Sequence, residues 1–468
     1  MIIIAQKHQL KSIRIYVILF TEVKMTIADE KFCKVYFANP EKEDIKSFEG
    51  FINKENEDFV IKFKSTEIID DFFSENGRIL YVLIDNNKCT FYEIDKYSFT
   101  IYNEYLVYNF YSKKMLYGIF SVNPNEEKIN ELVVDFENLN LLFSSHTIEH
   151  KIENRKNIFD NDAEKIIYET DNFFIDILIW HPLKLSHDFV DIKTKTNIKF
   201  RYKTSINIFD ALNNLDYFLS FVTFCSNNVF DYNKVDFFAG DKKFSLEKAT
   251  TITTPNLNLF ALSHANIANF EQIIKSIYKN KQFLQFIFNQ YTKTSVQHKN
   301  KLLNADVFAQ WISVIELVFD KYFKKIDIKN FEETIANLKT IINESTELSE
   351  EQKKIAINRI TGILDNPLKE KIVKILESAN GIYYNIDSTY LDKSSTFINK
   401  ILNTRNLGTH PRNYKPKDIF TQLEIDKLNC LFKHVVFIVI CKNLGVENFG
   451  NYYYESIKYF FDIINYKR

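Results

Sequence analysis

The sequence predicts an α+β chain: a β-rich, mainly antiparallel N-terminal domain followed by an all-α helical bundle. Three observations carry that expectation. Up to about residue 250, short runs rich in β-branched and aromatic residues are separated by polar clusters such as Asp85-Asn86-Asn87. After Pro255 the apolar period changes to three or four residues and stays there. A chain of 468 residues also exceeds what one ordinary core sustains, so two or three domains are expected.

The chain divides accordingly into residues 1–25, an N-terminal extension; 26–250, a β-rich domain; 251–280, a linker with a connecting helix; and 281–468, a helical domain. The apolar run 15–20 is too short for a secretory core, is followed by Glu22 and Lys24, and has no small-residue cleavage site. Residues 1–24 read instead as an upstream extension of a chain starting at Met25. No apolar stretch reaches the length of a membrane span, and 435–441 reads as the face of a core helix. A cytoplasmic protein without a membrane partner is expected.

Strands are predicted at 59–64, 79–84, 89–94, 99–110, 132–136, 165–168, 173–180 and 197–202. A helix opened by Ser205 follows, with Ile208, Leu212, Leu215, Leu219 and Val222 on its buried face. A hairpin closes the β-rich part: 235–239, a Gly240-Asp241 turn, then 243–246. Helices are predicted at 266–278, 281–291, 304–324, 331–343, 349–365, 368–378, 394–407, 417–444 and 449–466. Pro367, Gly381 and Pro416 punctuate them.

Composition excludes some functions. A net charge of −1 rules out a globally basic nucleic-acid binder but leaves room for a local basic patch. The abundance of Ile, Asn, Lys, Phe and Tyr reads as the codon bias of an AT-rich genome. Cys33, Cys89, Cys225, Cys430 and Cys441 show no paired spacing, which fits free, mostly buried thiols in a reducing compartment. P-loop, GxGxxG and GxSxG patterns are missing. His146 and His150 have the spacing of a helical metal pair but lack a third ligand, and Trp180-His181-Pro182 reads as a turn. No metal and no cofactor is expected.

One segment gathers the chemistry. Arg405-Asn406-Leu407-Gly408-Thr409-His410 brings a permanent cation, an amide and an imidazole together where a helix must stop. Residues 393–417 contain no acid, so Lys393, Lys400, Arg405, Arg412, Lys415 and Lys417 form a local positive field. A polyanion suits such a field, since Lys and Arg contacts to phosphate supply most sequence-independent affinity. The same residues also fit a plain cationic helix C-terminus on a solvated surface. Residues five apart on a regular helix point about 140° from each other. Convergence of Arg405 and His410 therefore needs a turn, for which Gly408 offers a left-handed C′ residue and Pro411 a helix stop.

The stretch Phe397-Ile-Asn-Lys-Ile-Leu-Asn-Thr-Arg-Asn-Leu-Gly-Thr-His410 resembles the signature of HEPN domains, in the Arg-Asn-x-x-x-His form of their ribonuclease members. The helix carrying Trp311, Glu316 and Phe319 is similar to the early, acid-bearing HEPN helix. A β-rich region joined to such a domain resembles the ApeA-type bacterial anti-phage proteins. What the resemblance implies is a metal-independent endoribonuclease of abortive-infection defence, cutting RNA, with tRNA one candidate. Two motifs would meet across a homodimer formed through the helical domain. A ribose 2′-hydroxyl would attack its own phosphodiester to leave a 2′,3′-cyclic phosphate. His410 would then be the general acid and base, Arg405 the group stabilising the phosphate, and Asn406 the group positioning both. Glu316 would support them. Arg412, Lys415, Lys417 and Lys400 are added here as RNA contacts. The β-rich domain would sense a phage-encoded trigger or regulate the nuclease. The alternative is a HEPN-like module that binds RNA or protein without cutting.

Overall fold

Alternation of buried and outward side chains sets the N-terminal architecture, and strand β9 shows it plainly: Leu106, Tyr108, Phe110 and Ser112 are buried while Val107, Asn109 and Tyr111 are not. The computed structural model describes residues 3–8, 12–17, 30–41, 45–67, 69, 79–94, 96–102, 104–137, 139, 142, 150–153, 156–159, 164–180, 183–185, 190–192, 195–226, 229–249, 270–299, 305–323, 329–362, 368–379, 396–409 and 415–446. The chain falls into two units, one of residues 1–219 and 230–258 and one of residues 220–229 and 259–468.

In the first unit the strands are β1 (Ile3–His8), β2 (Ser12–Val17), β3 (Lys31–Tyr36), β4 (Phe48–Glu55), β5 (Asp58–Ser65), β6 (Leu80–Ile84) and β7 (Asn87–Tyr92). There follow β8 (Lys96–Ile101), β9 (Leu106–Ser112), β10 (Lys114–Tyr117), β11 (Lys128–Glu137), β12 (His150–Glu153), β13 (Lys156–Phe159) and β14 (Glu164–Glu169). The last are β15 (Phe173–Trp180), β16 (Leu183–Leu185), β17 (Val190–Ile192), β18 (Lys195–Asn207), β19 (Lys234–Ala239) and β20 (Lys242–Lys248). Sixteen of them form one sheet in the order β14-β15-β18-β11-β19-β20-β10-β7-β6-β3-β4-β5-β9-β8-β1-β2. Each pairing within it is antiparallel, as the sequence led one to expect. β12–β13 and β16–β17 are separate hairpins.

The core under the β3–β9 half is aromatic. Phe63 stacks on Tyr108 at 5.4 Å and on Phe110 at 5.8 Å. Gly50 of β4 stands opposite Phe63, where a Cβ would meet the Lys62 carbonyl oxygen and lie 2.8 Å from Phe63 Cβ. In the other half, β18 buries Thr196, Ile198, Phe200 and Tyr202. Its outward residues pair with neighbouring strands, Lys199 with Glu131 and Arg201 bidentately with Asp176, and Lys203 reaches past β15 to Glu169 of β14.

Three local expectations need correction. The run 99–110 is two strands, β8 and β9, because the Tyr102 N–H donates to the Tyr105 carbonyl at 2.8 Å and closes a turn without Gly or Pro. Ser205 does not open the first helix, α1 (Ile208–Ser226): β18 runs on to Asn207, whose Oδ1 accepts from the Asp210 N–H at 2.7 Å. His150 opens strand β12, which is not helical geometry, and His146 lies outside the described residues.

The second unit holds α2 (Phe270–Lys279), α3 (Lys281–Lys299), α4 (Ala305–Tyr322), α5 (Lys329–Glu344), α6 (Glu350–Gly362), α7 (Leu368–Ala379), α8 (Thr396–Thr409) and α9 (Gln422–Asn443), with residues 220–226 of α1. The expected helix at 449–466 lies outside the described residues. α9 starts at Gln422 rather than 417, because Pro416–Asp418 forms a 3-10 turn and Thr421 then caps the helix reciprocally with Glu424. From Leu428 to Cys441 every residue of α9 is buried, so this helix is the unit's axis. Phe432 packs on Phe308 at 5.6 Å, and Phe437 on Phe224 at 4.7 Å. No helix among the described residues is long and apolar enough to cross a membrane. All five cysteines are free and buried, and burial pushes Cys33 and Cys89 up to about 12.

Candidate functional site around Arg405

Helix α8 is placed by three buried residues on one face, Ile398, Ile401 and Thr404, spaced at three-residue intervals. It packs on α4 and α7. α4 turns Trp311, Ile312, Ile315 and Phe319 into the core and leaves Glu316 and Asp320 on one ridge, four residues apart. Each acid faces a cation from a different helix. Arg405 Nη2 of α8 lies 3.7 Å from Glu316 Oε2, and Lys371 Nζ of α7 lies 2.8 Å from Asp320 Oδ1.

The two pairs differ in kind. At 2.8 Å the Lys371 contact is a charge-assisted hydrogen bond, whereas 3.7 Å exceeds hydrogen-bonding range, so Glu316 attracts Arg405 without occupying its donor fork. The Arg405 side chain is one-third exposed. It can therefore present N–H donors to an oxyanion from solvent.

The other predicted residues are placed as follows. Asn406 follows Arg405 in α8 and is half-buried. Lys400 lies more than a turn earlier, with Nζ 4.8 Å from the centre of the Phe420 ring, which itself meets Phe397 edge-on at 5.9 Å. Lys415 and Lys417 are exposed at the Pro416–Asp418 turn, which packs on α8. His410 and Arg412 lie outside the described residues. Gly408 departs from expectation. α8 runs through it to Thr409, so it is helical rather than left-handed.

Two neighbours of the candidate site were missed by sequence reasoning. Asn403 Nδ2 donates to the Asp418 carbonyl at 3.1 Å, and Thr404 Oγ1 accepts from the Phe420 N–H at 3.0 Å. The one available signal was Thr404 standing on the apolar face of α8. Deeper in the unit, Lys433 of α9 is buried with its Nζ 4.3 Å from the centre of the Tyr291 ring. Burial brings its pKa down to about 7, against a smaller upward pull from Cys430.

The chain matches no protein-family model, no curated protein and no solved structure. The likeness to HEPN domains rests on residues 397–410 and the acid-bearing helix α4.

Proposed function

We propose that the helical unit is a metal-independent endoribonuclease of HEPN type, acting in bacterial anti-phage defence in the cytoplasm. The observation that carries this reading is the one-third-exposed Arg405 guanidinium, held beside Glu316 without a hydrogen bond to it, within the acid-free segment 393–417 that also contains His410.

RNA brings its own nucleophile, so the protein has only to move protons and stabilise charge. In the proposed reaction one imidazole takes the 2′-hydroxyl proton as the 2′-oxygen bonds to phosphorus. The bond from phosphorus to the 5′-oxygen breaks, and a second, protonated imidazole gives that oxygen its proton. The products are a 2′,3′-cyclic phosphate and a 5′-hydroxyl. A homodimer supplies both imidazoles as two copies of His410. Arg405 neutralises the charge that grows on the non-bridging oxygens, and Asn406 positions Arg405 and His410. Lys400, Arg412, Lys415 and Lys417 hold the flanking backbone, and the sheet unit senses a trigger or regulates the nuclease.

Incubating tRNA or total RNA with wild type, Arg405→Ala and His410→Ala tests the reading. Loss of the imidazole costs about 10²–10⁴-fold in rate, and loss of Arg405 at least a comparable factor. Equal cleavage by all three proteins sinks it. A second reading is RNA binding without cleavage: Glu316 offsets part of the charge with which Arg405 would stabilise the transition state, while Lys400, Lys415 and Lys417 are left to hold the backbone. Retained RNA binding with no cyclic-phosphate ends under any activating condition selects that reading.

A further inference from the structure

Consecutive residues of α8 face different partners. Arg405 is turned towards Glu316 of α4. The two residues before it hold the chain that returns from the motif: Asn403 by its amide on the Asp418 carbonyl, and Thr404 by its hydroxyl oxygen on the Phe420 N–H. Phe397 and Lys400, on the same side of α8, grip the Phe420 ring at 5.9 Å and 4.8 Å. Thr404 is only 2% exposed, so a broken bond there leaves a polar group stranded in the interior. Directly after Phe420, the Thr421 N–H donates to Glu424 Oε2 at 2.7 Å, and Thr421 Oγ1 accepts from the Glu424 N–H. The returning chain is thus joined without slack to α9, the buried axis of the unit.

We propose that Asn403 and Thr404 are positioning residues: together they tie the helix that carries Arg405 and Asn406 to the turn that carries Lys415 and Lys417. Neither of them touches the proposed reacting atoms. They act by fixing α8 to that turn, so that Arg405, Lys415 and Lys417 share one frame instead of two independent ones. Placing a catalytic group correctly is worth large rate factors, and small displacements forfeit them. The tie is a feature of the described residues alone. Only the last readout below rests on the nuclease reading.

The test uses the full chain and Thr404→Val, which keeps the shape but removes the acceptor, with Thr404→Ser as the conservative rescue. Native-state hydrogen exchange at the Phe420 amide should quicken about tenfold in Thr404→Val and return towards wild type in Thr404→Ser. Tryptic cleavage after Lys417 should quicken in parallel, with the far-ultraviolet circular dichroism unchanged. Should Thr404→Val fail to fold, Asn403→Asp takes its place; it removes the donor at a half-buried site and sets a carboxylate against the Asp418 carbonyl. Unchanged exchange and unchanged proteolysis overturn the proposal. On RNA, the loosened variant should lose turnover while its RNA affinity stays within about twofold. A fall in cleavage with exchange unchanged also overturns the positioning role. If the tie loosens as expected while wild type cuts no RNA, the nuclease reading fails and the tie stands.

Discussion

Arg405 and Glu316 join α8 to α4 through an ion pair of 3.7 Å in which both side chains remain about one-third exposed, 33% and 32%. A pair this open contributes little to folding and much to where the guanidinium points. Glu316→Gln should therefore change stability by less than about 1 kcal/mol in a urea titration. RNA affinity should rise, because a negative charge leaves the site, while single-turnover cleavage slows, because Arg405 loses the group that aims it. Parallel loss of affinity and rate would show Glu316 to be an RNA contact instead.

The cations flanking the motif should act through phosphates. Replacing Lys400, Lys415 or Lys417 with Gln is expected to lower the slope of log affinity against log salt by about 0.7 for each single-strand phosphate that the protein no longer neutralises. Filter binding at salt concentrations from about 50 to 300 mM reads the slope directly. Affinities that fall without any change of slope would assign these residues to packing, which is a real competitor at Lys400 because it lies over Phe420.

Lys433 makes stability depend on pH. Its pKa falls from 10.5 in the unfolded chain to about 7 in the fold. Between those values the unfolded state binds a proton that the native state does not, so stability rises with pH, with a slope approaching roughly 1.4 kcal/mol per unit. Below about pH 7 both states are protonated and the burial penalty is at its full, constant value. Lys433→Met should be more stable than wild type at pH 7, with an advantage that shrinks towards pH 10. Urea midpoints that keep a constant difference across this range would rule the assignment out.

Gly50 is required by space rather than by backbone freedom. A Cβ there would collide with the Lys62 carbonyl and lie 2.8 Å from Phe63 Cβ, inside the aromatic core of the sheet. Gly50→Ala should cost about 3 kcal/mol. Gly240, with nothing within 4 Å of a Cβ, is the internal control for space, although its φ of +60° favours glycine. A shift of the thermal midpoint no larger than that of a surface substitution would show that β4 and β5 can part without loss.

Much of this fold was legible because period-two and period-three-to-four segments do not overlap along the chain. β3 and β4 escaped notice for a physical reason. Their outward positions carry Phe32 and Phe51, 50% and 47% exposed and paired across the strands at 5.9 Å, which blurs the contrast between faces. At the candidate site, residue types marked Arg405 as a candidate phosphate ligand, but its pairing with Glu316 depends on how α8 lies on α4, which no local pattern encodes. Asn403 and Thr404 were less legible still. Their partners are main-chain groups at Asp418 and Phe420, and a main-chain group carries no sequence signal.

Strand β10 pairs on one side with β7 and on the other with β20, so that Met115 meets both Phe91 and Glu247. The sheet's middle therefore stays an open edge until residue 248 has been synthesised, and this delay exposes unpaired strand groups to other chains. Once β20 is in place the sheet can close before residues 396–443, with the motif helix and the buried axis α9, have emerged from the ribosome. Translation order alone thus lets the first unit be finished before any copy of the Arg405 segment exists.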